Sequence, residues 1–150
     1  MIMPQTHQIY ISENLVDMRK CAMLPTLSSI LSASNRNNRP LGLTGALVFD
    51  EQWFLQILEG ERAAVWTTFE RIRDDERHGN LTIAELVEIS ERSFANWWMG
   101  GAVRNAKAEA VFTRFLKQGR FDPSKMSAAE MLSMVTALAA LGLHRELTTA

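Results

Sequence analysis

The sequence of this 150-residue chain predicts an α+β fold, with strands and helices alternating around one sheet. Polar and apolar side chains alternate over residues 8–12 and largely over 81–89, a pattern typical of half-buried strands. In 20–34 and in 62–75 the apolar residues recur mostly at steps of three and four, which indicates helices with one buried face. Apolar residues make up 47% of the chain and charged residues 22%, so the chain folds rather than remaining disordered.

The first half of the chain predicts a strand, a helix and a hairpin. We expect the first strand at 8–12 and the first helix over 20–34, with Pro25 near its start, where proline is tolerated. Residues 35–40 are rich in asparagine and end in proline, so we predict a helix exit and a loop there. The hairpin consists of two apolar strands, at 42–49 and 53–58, joined by a tight turn at 50–52.

The second half of the chain adds a helix and two strands, followed by a helical tail. A helix over 62–75, a strand over 81–89 and a short strand over 97–103 complete the order βαββαββ. One mixed sheet with two helices on one face is the ferredoxin-like plan. Further helices are predicted at 108–118 and 127–141.

We therefore divide the chain into a domain over 1–104 and a helical extension over 105–150. The extension is expected to pack on the sheet face that the first two helices leave bare. Its last helix opens with the capping box Ser127 to Glu130, and Met134 and Leu141 are expected to stay exposed as an interface. The apolar arc expected to cover the sheet comprises Met131, Leu132, Val135, Leu138 and Ala139.

Charge and cysteine content argue against several classes of function. Sixteen Lys and Arg against seventeen Asp and Glu leave a net charge of −1, so we expect no direct nucleic-acid partner. One cysteine, Cys21, forbids an internal disulfide, and the scattered His7, His78 and His144 argue against a metal site. Neither a signal peptide nor a membrane-spanning apolar run is evident, so we predict a cytoplasmic protein without a membrane partner.

Polar side chains stand at positions where the predicted strands should contribute to a core. Tyr10 and Ser12 share one face of the first strand, because side chains two residues apart point the same way. Gln56 lies mid-strand among apolar neighbours, where burial without hydrogen bonds would cost roughly 1–3 kcal/mol. Taken alone, Gln56 also fits a solvent-facing position, and Asn37 and Asn38 also fit a helix cap and turn.

A cation, a carboxylate and an imidazole follow the second predicted helix. Arg71, Asp75 and His78 are spaced so that one helix face and its exit could present all three, although a surface ion pair explains them equally well. With the polar strand residues, they make sense around one ligand that has an amide-like edge and a phosphate tail. The sequence has no glycine-rich phosphate loop, nucleophile elbow or HExxH motif, so we predict no enzymatic activity.

Five short motifs stand in order along the chain: YIS at 10–12, NN at 37–38 followed by GLTG at 42–45, FLQILEG at 54–60, RIRDDERH at 71–78 and FANWWMG at 94–100. Together they resemble the BLUF domain, the family of photoreceptors for "blue light using FAD", over about residues 8–103. The tail resembles the helical extension of the short, single-domain members of that family.

The resemblance implies a role for each matching residue. Tyr10 would donate an electron, coupled to a proton, to the photoexcited flavin, and Gln56 would bridge the two and rearrange its amide. Met99 and Trp97, on the last strand, would relay the signal, and the sequence leaves open which of them points inward. The implied contacts of the flavin, which is FAD with FMN or riboflavin as compatible alternatives, are Tyr10, Ser12, Ile30, Asn37, Asn38, Gln56, Arg71, Ile72, Asp75 and His78.

Within that set, the resemblance assigns different parts of the flavin to different residues. Ile30 and Ile72 would sandwich the ring from the two helices, and Asn38, with Asn37 beside it, would bond its polar edge. Arg71, Asp75 and His78 would hold the ring edge and the ribityl or phosphate part.

The predicted function is a blue-light photoreceptor that signals to a separate effector or regulator protein and self-associates. The alternative is an enzyme, since some small phosphate-handling enzymes have the ferredoxin-like fold. The fold alone is a weak guide to function. A third alternative is an interaction module that has lost its flavin. Colour discriminates among them, because a photoreceptor of this kind is yellow when purified.

Overall fold

The computed structural model describes residues 4–17 and 22–143, so Cys21, His144 and the predicted helix start at residue 20 lie outside the described residues. The main elements are β1 (Gln5–Asn14), α1 (Met23–Asn38), β2 (Thr44–Phe49), β3 (Trp53–Glu61), α2 (Arg62–Arg73), β4 (His78–Ile89), β5 (Gly100–Val103), α3 (Glu109–Arg114) and α4 (Ala128–Leu141). Short 3₁₀ helices lie at Arg39–Leu41 and Pro123–Lys125.

The strands form one mixed sheet in the order β4-β1-β3-β2-β5. β1 pairs antiparallel with both β3 and β4, β2 pairs antiparallel with β3, and β5 lies parallel to β2 at the edge. This arrangement confirms the predicted α+β, ferredoxin-like fold. The register places Tyr10 directly opposite Gln56, and Leu47 opposite Gln56 on the other side.

Alternation along the strands gives the sheet two buried faces. On the first face, Tyr10, Leu47 and Phe54 pack with residues of α1 and α2; we call this the α1/α2 core. On the second face, Ile9 and Ile57 pack with residues of α3 and α4; we call this the α4 core. The predicted placement of the C-terminal helices on the face opposite the first two helices is therefore confirmed.

Several element boundaries differ from the expected ones, and tertiary hydrogen bonds explain two of the differences. The prediction that α1 ends at residue 34 is wrong, because the helix continues to Asn38, whose side-chain Nδ2 donates to the Trp98 carbonyl at 2.8 Å. The last strand begins at Gly100 rather than at Trp97, since the segment before it bonds to neighbouring elements instead of continuing a ladder. β4 begins earlier than expected, at His78.

The last helix begins as predicted, but its buried face is broader than expected. Ser127 Oγ accepts from the Glu130 backbone N–H at 3.1 Å, and the Glu130 carboxylate accepts from the Ser127 N–H at 3.1 Å, which completes the capping box. The expectation that Met134 is exposed is wrong, because Met134 is 0% exposed. It follows Met131 by three positions and so shares its buried face. Leu141 is 40% exposed, as expected.

Across residues 4–17 and 22–143, no helix is both long and apolar enough to cross a membrane. The same residues contain no group of three or more His, Cys, Asp or Glu side chains arranged to hold a metal ion.

Candidate functional site

A cleft opens between α1 and α2 on the face of the sheet that carries Tyr10 and Gln56. The empty volume of the cleft, including the part that is open to solvent, is about 640 Å³. Eight of the ten predicted ligand-contacting residues line it: Tyr10, Ile30, Asn37, Gln56, Arg71, Ile72, Asp75 and His78. The other two, Ser12 and Asn38, are not part of the lining: Ser12 bonds to His78 of the lining, and Asn38 bonds to the Trp98 carbonyl.

Tyr10 lies on β1 at the floor of the cleft and is 1% exposed. Its ring meets the Phe69 ring edge-on, with centroids 5.8 Å apart. Its hydroxyl is buried and has no hydrogen-bond partner among the described residues. Burial, with a smaller contribution from the negative charge of Asp75, raises the pKa of Tyr10 well above its ordinary value. The phenol therefore keeps its proton at neutral pH.

Gln56 lies on β3 opposite Tyr10 and is 5% exposed, so the alternative of a solvent-facing glutamine is wrong. Its amide nitrogen Nε2 donates to the Met99 sulfur at 3.5 Å. Met99 is 1% exposed and belongs to the α1/α2 core, whereas Trp97 packs against the α4 core. Met99, and not Trp97, therefore faces Gln56.

The segment before β5 is held by amide side chains at the end of α1. Asn38 is buried, and its Nδ2 donates to the Trp98 carbonyl at 2.8 Å. Asn35, also buried, donates more distantly to the Met99 carbonyl at 3.5 Å. Asn35 was absent from the predicted site because its position in α1 carries no local signal of a contact so far along the chain.

His78 and Ser12 form a hydrogen-bonded chain at one end of the cleft. His78 Nε2 donates to the Ile72 carbonyl at 2.5 Å, because a carbonyl oxygen can only accept. In the neutral ring, Nδ1 is then the acceptor, and it lies 2.7 Å from the Ser12 hydroxyl. The ring also meets Phe54 edge-on, with centroids 6.1 Å apart. Ser12 therefore orients the imidazole from behind the cleft lining.

The carboxylate of Asp75 pairs with Arg77 rather than with Arg71. Arg77 donates to both carboxylate oxygens, at 2.5 Å from Nη2 and 3.0 Å from Nε. The alternative explanation, a surface ion pair between Arg71 and Asp75, is wrong, because α2 ends at Arg73 and Asp75 lies beyond it. The hydrogen bond from Arg77 is the main reason that the pKa of Asp75 falls below its ordinary value. Asp75 therefore carries a negative charge at neutral pH.

Arg71 remains available at the cleft mouth. Its side chain is exposed, and it has no ion-pair partner in the described part of the chain. Asn37 is likewise exposed beside the opening, while Ile30 and Ile72 contribute apolar walls from α1 and α2. An unpaired guanidinium at the entrance of an apolar cleft is well placed to meet an anionic group.

Five further residues line the cleft that the sequence analysis did not select: Ala33, Ser34, Leu47, Phe54 and Arg77. Phe54 could have been found, because it lies two residues from Gln56 on the same strand face. Leu47 required the pairing of β2 with β3, and Arg77 required the turn after α2.

The residue types of the cleft fit a flat, partly apolar cofactor with a polar edge and an anionic tail. Ile30 and Ile72 provide apolar surface, and the unpartnered Tyr10 hydroxyl and the Gln56 amide provide hydrogen-bonding groups at the floor. Arg71 provides positive charge at the mouth. The fold and cleft therefore define a small α+β domain with the donors, acceptors and walls that a flavin nucleotide needs.

Comparison with known proteins identifies the family. The family model for BLUF, described as sensors of blue-light using FAD, matches residues 6–100, and the chain belongs to this family. The structural alignment with the solved structure "BlsA ground state" covers 97% of this chain and 94% of that chain, with a TM-score of 0.80 and 26% sequence identity. The alignment with "BlrB - a BLUF protein, dark state structure" covers 92% of this chain and 99% of that chain, with a TM-score of 0.76 and 26% sequence identity.

Among curated proteins, the chain is similar to the photoactivated adenylate cyclase subunit beta of Euglena longa, with 32% identity over 83 residues. The match covers 55% of this chain but spans only 10% of the length of that cyclase. As a BLUF domain, the matched region is a blue-light sensor whose cofactor is a flavin, FAD.

Proposed function

We propose that this chain is a blue-light photoreceptor that binds FAD noncovalently between α1 and α2 and signals to a separate partner protein. The observation that carries the proposal is the row of Tyr10, Gln56 and Met99 on the α1/α2 side of the sheet, of which Tyr10 and Gln56 line the cleft. Tyr10 and Gln56 are cross-strand neighbours, and Gln56 contacts Met99. FMN and riboflavin are compatible with the same ring-binding surface, because they share the flavin ring.

The cleft residues divide the work of holding the cofactor. Ile30 and Ile72 would enclose the flavin ring, and Arg71 would meet the phosphate. Gln56, Asn37 and Asp75 would offer hydrogen bonds to polar atoms of the flavin, as would Tyr10, while Ser12 would act through His78. Asn38, whose amide nitrogen holds the Trp98 carbonyl, remains a predicted contact of the polar ring edge.

When bound, the flavin supplies the absorption of blue light and accepts an electron together with a proton. Tyr10 is suited to provide both, because burial keeps its phenol protonated and its hydroxyl has no partner among the described residues. Gln56 is suited to the switch, because a neutral amide both donates and accepts and can exchange the two without moving net charge. Its bond to Met99 is weak, since a thioether sulfur is a poor acceptor.

The output is proposed to pass through protein contacts rather than through a reaction catalysed by this chain. We treat 1–104 as the light-sensing domain and 105–150 as a helical extension, and α3 and α4 of that extension pack on the sheet. Leu141, exposed at the end of α4, supports the proposal that the extension contributes to self-association or partner binding. We place the protein in the cytoplasm, without nucleic acid or membrane as a partner.

Absorption spectroscopy tests the proposal directly. We expect protein expressed with ample flavin to be yellow, to shift its visible absorption slightly to the red under blue light, and to revert in darkness. Extraction and chromatography of the bound flavin would identify FAD, FMN or riboflavin. A colourless product, or a yellow one without a light-induced shift, would contradict the proposal.

A further inference from the structure

The segment that precedes β5 passes from one core of the protein to the other. Phe94 packs in the α4 core, and Met99 packs in the α1/α2 core. Between them, the Trp97 carbonyl accepts from the Gly45 backbone N–H at 3.1 Å. A contact that fixes Phe94 therefore also limits where Met99 can lie.

A buried carboxylate holds the start of this segment. Glu59 of β3 is 0% exposed, and its two oxygens accept from the Ser93 N–H at 3.0 Å and from the Phe94 N–H at 2.8 Å. Burial alone would raise the pKa of Glu59, but the hydrogen bonds from His7, Ser93 and Phe94 outweigh it and hold the pKa below its ordinary value. Glu59 is therefore ionised when it binds the segment.

His7 fixes this carboxylate from the neighbouring strand. The side chain is 3% exposed, and Nδ1 donates to Glu59 Oε2 at 3.0 Å, since a carboxylate oxygen can only accept. The second ring nitrogen lies 3.7 Å from a carboxylate oxygen of Glu85 on β4. His7 thus stands between two acidic side chains on either side of β1 and orients the buried one.

We propose that Glu59, oriented by His7, is a positioning residue that sets the contact between Met99 and Gln56. Both ends of the segment are bonded to strand β3. Glu59 of β3 binds Phe94 on one face of the sheet, and Gln56 of β3 contacts Met99 on the other face. Strand β3 is central in the sheet, so the spacing between these two anchors is rigid. The proposal deepens, and rests on, the photoreceptor function proposed above.

The variant Glu59→Gln of the full chain tests this positioning role. A glutamine amide can still accept one backbone N–H but turns its NH₂ group toward the other, so one of the two bonds is lost. With ¹³C-methyl methionine labelling in the dark, and Met99→Leu to assign the signal, we expect the Met99 methyl resonance to shift or broaden.

Dark recovery provides the second measurement. After illumination, we expect Glu59→Gln to return to its dark spectrum about threefold faster or more. The loss of one hydrogen bond lowers the activation barrier of this return by an amount that corresponds to a rate change of this order. The matched control is Glu61→Gln, an exposed carboxylate at the end of the same strand, which should behave like the wild type. A Glu59→Gln protein with unchanged Met99 resonance and unchanged recovery would overturn the proposal.

A further variant covers the case in which Glu59→Gln does not fold. His7→Leu leaves both backbone bonds to Glu59 but removes the donor that orients it, so we expect a smaller shift of the same Met99 resonance. An unperturbed Met99 signal in that variant would also overturn the positioning role. The methyl spectrum needs no photochemistry, so absence of photoconversion in the wild type would contradict the proposed function alone.

Discussion

The amide nitrogen of Gln56 lies 3.5 Å from the sulfur of Met99, and this contact joins the central strand β3 to the segment before β5. A thioether holds an amide weakly, so Gln56 is kept in place without being locked. On the neighbouring strand, the Tyr10 hydroxyl faces no protein partner among the described residues. The site thus combines one anchored, exchangeable amide with one protonated phenol, an arrangement that favours switching over turnover.

Gln56→Leu should keep the flavin bound and abolish the light-induced red shift. Leucine has a similar volume but can neither donate nor accept a hydrogen bond, so the rearrangement has no group to carry it. Absorption spectra before and after blue light provide the measurement. Gln52→Leu, at an exposed position in the β2–β3 turn, is the control and should photoconvert normally. Normal photoconversion of Gln56→Leu would show that the amide is not the switch.

Tyr10→Phe should block photoconversion while leaving the fold almost as stable as in the wild type. The hydroxyl makes no hydrogen bond to the described residues, so its removal should change the free energy of unfolding by less than about 1 kcal/mol. Denaturant unfolding measures the stability, and blue-light difference spectra measure the photochemistry. A variant that photoconverts like the wild type would rule out Tyr10 as the donor.

The Glu59 carboxylate should make stability depend on pH in the acid range. Its pKa is lowered in the folded protein, so its contribution is fully present above the ordinary value of 4.5 and is lost as the pH falls through the folded pKa. We expect the stability difference between the wild type and Glu59→Gln, measured by urea unfolding, to shrink as the pH falls below about 4.5. A difference that stays constant between neutral and acid pH would contradict the assignment.

Met134→Ala should destabilise the protein strongly, although the sequence pattern alone placed Met134 at the surface. Truncating a fully buried methionine typically costs about 2–5 kcal/mol, through lost burial and the cavity left behind. Leu141→Ala is the matched control on the same helix, and its cost should be under about 1 kcal/mol because Leu141 is 40% exposed. Urea unfolding of both variants decides, and equal costs would contradict the placement of α4.

Local patterns were sufficient for the elements and their order. The alternation in β1 and β4, the three- and four-residue steps of α1 and α2, and the capping box from Ser127 to Glu130 are each encoded within a few neighbouring residues. Such signals survive without knowledge of the rest of the chain. The α+β class and the position of the helical tail follow from them, while the roles proposed for Tyr10 and Gln56 come from ordered motifs that resemble a known family.

Contacts between distant parts of the chain required the tertiary structure. The burial of Gln56 and its choice of Met99 over Trp97 depend on strand register and on a segment that begins far along the sequence. The hydrogen bonds from His7 to Glu59 and from Phe94 to Glu59 connect β1, β3 and the segment before β5, which no local sequence pattern links. Sequence periodicity decides which face of an element is apolar, but the partner that covers it is decided by packing, because the residues that meet are separated by many turns and strands.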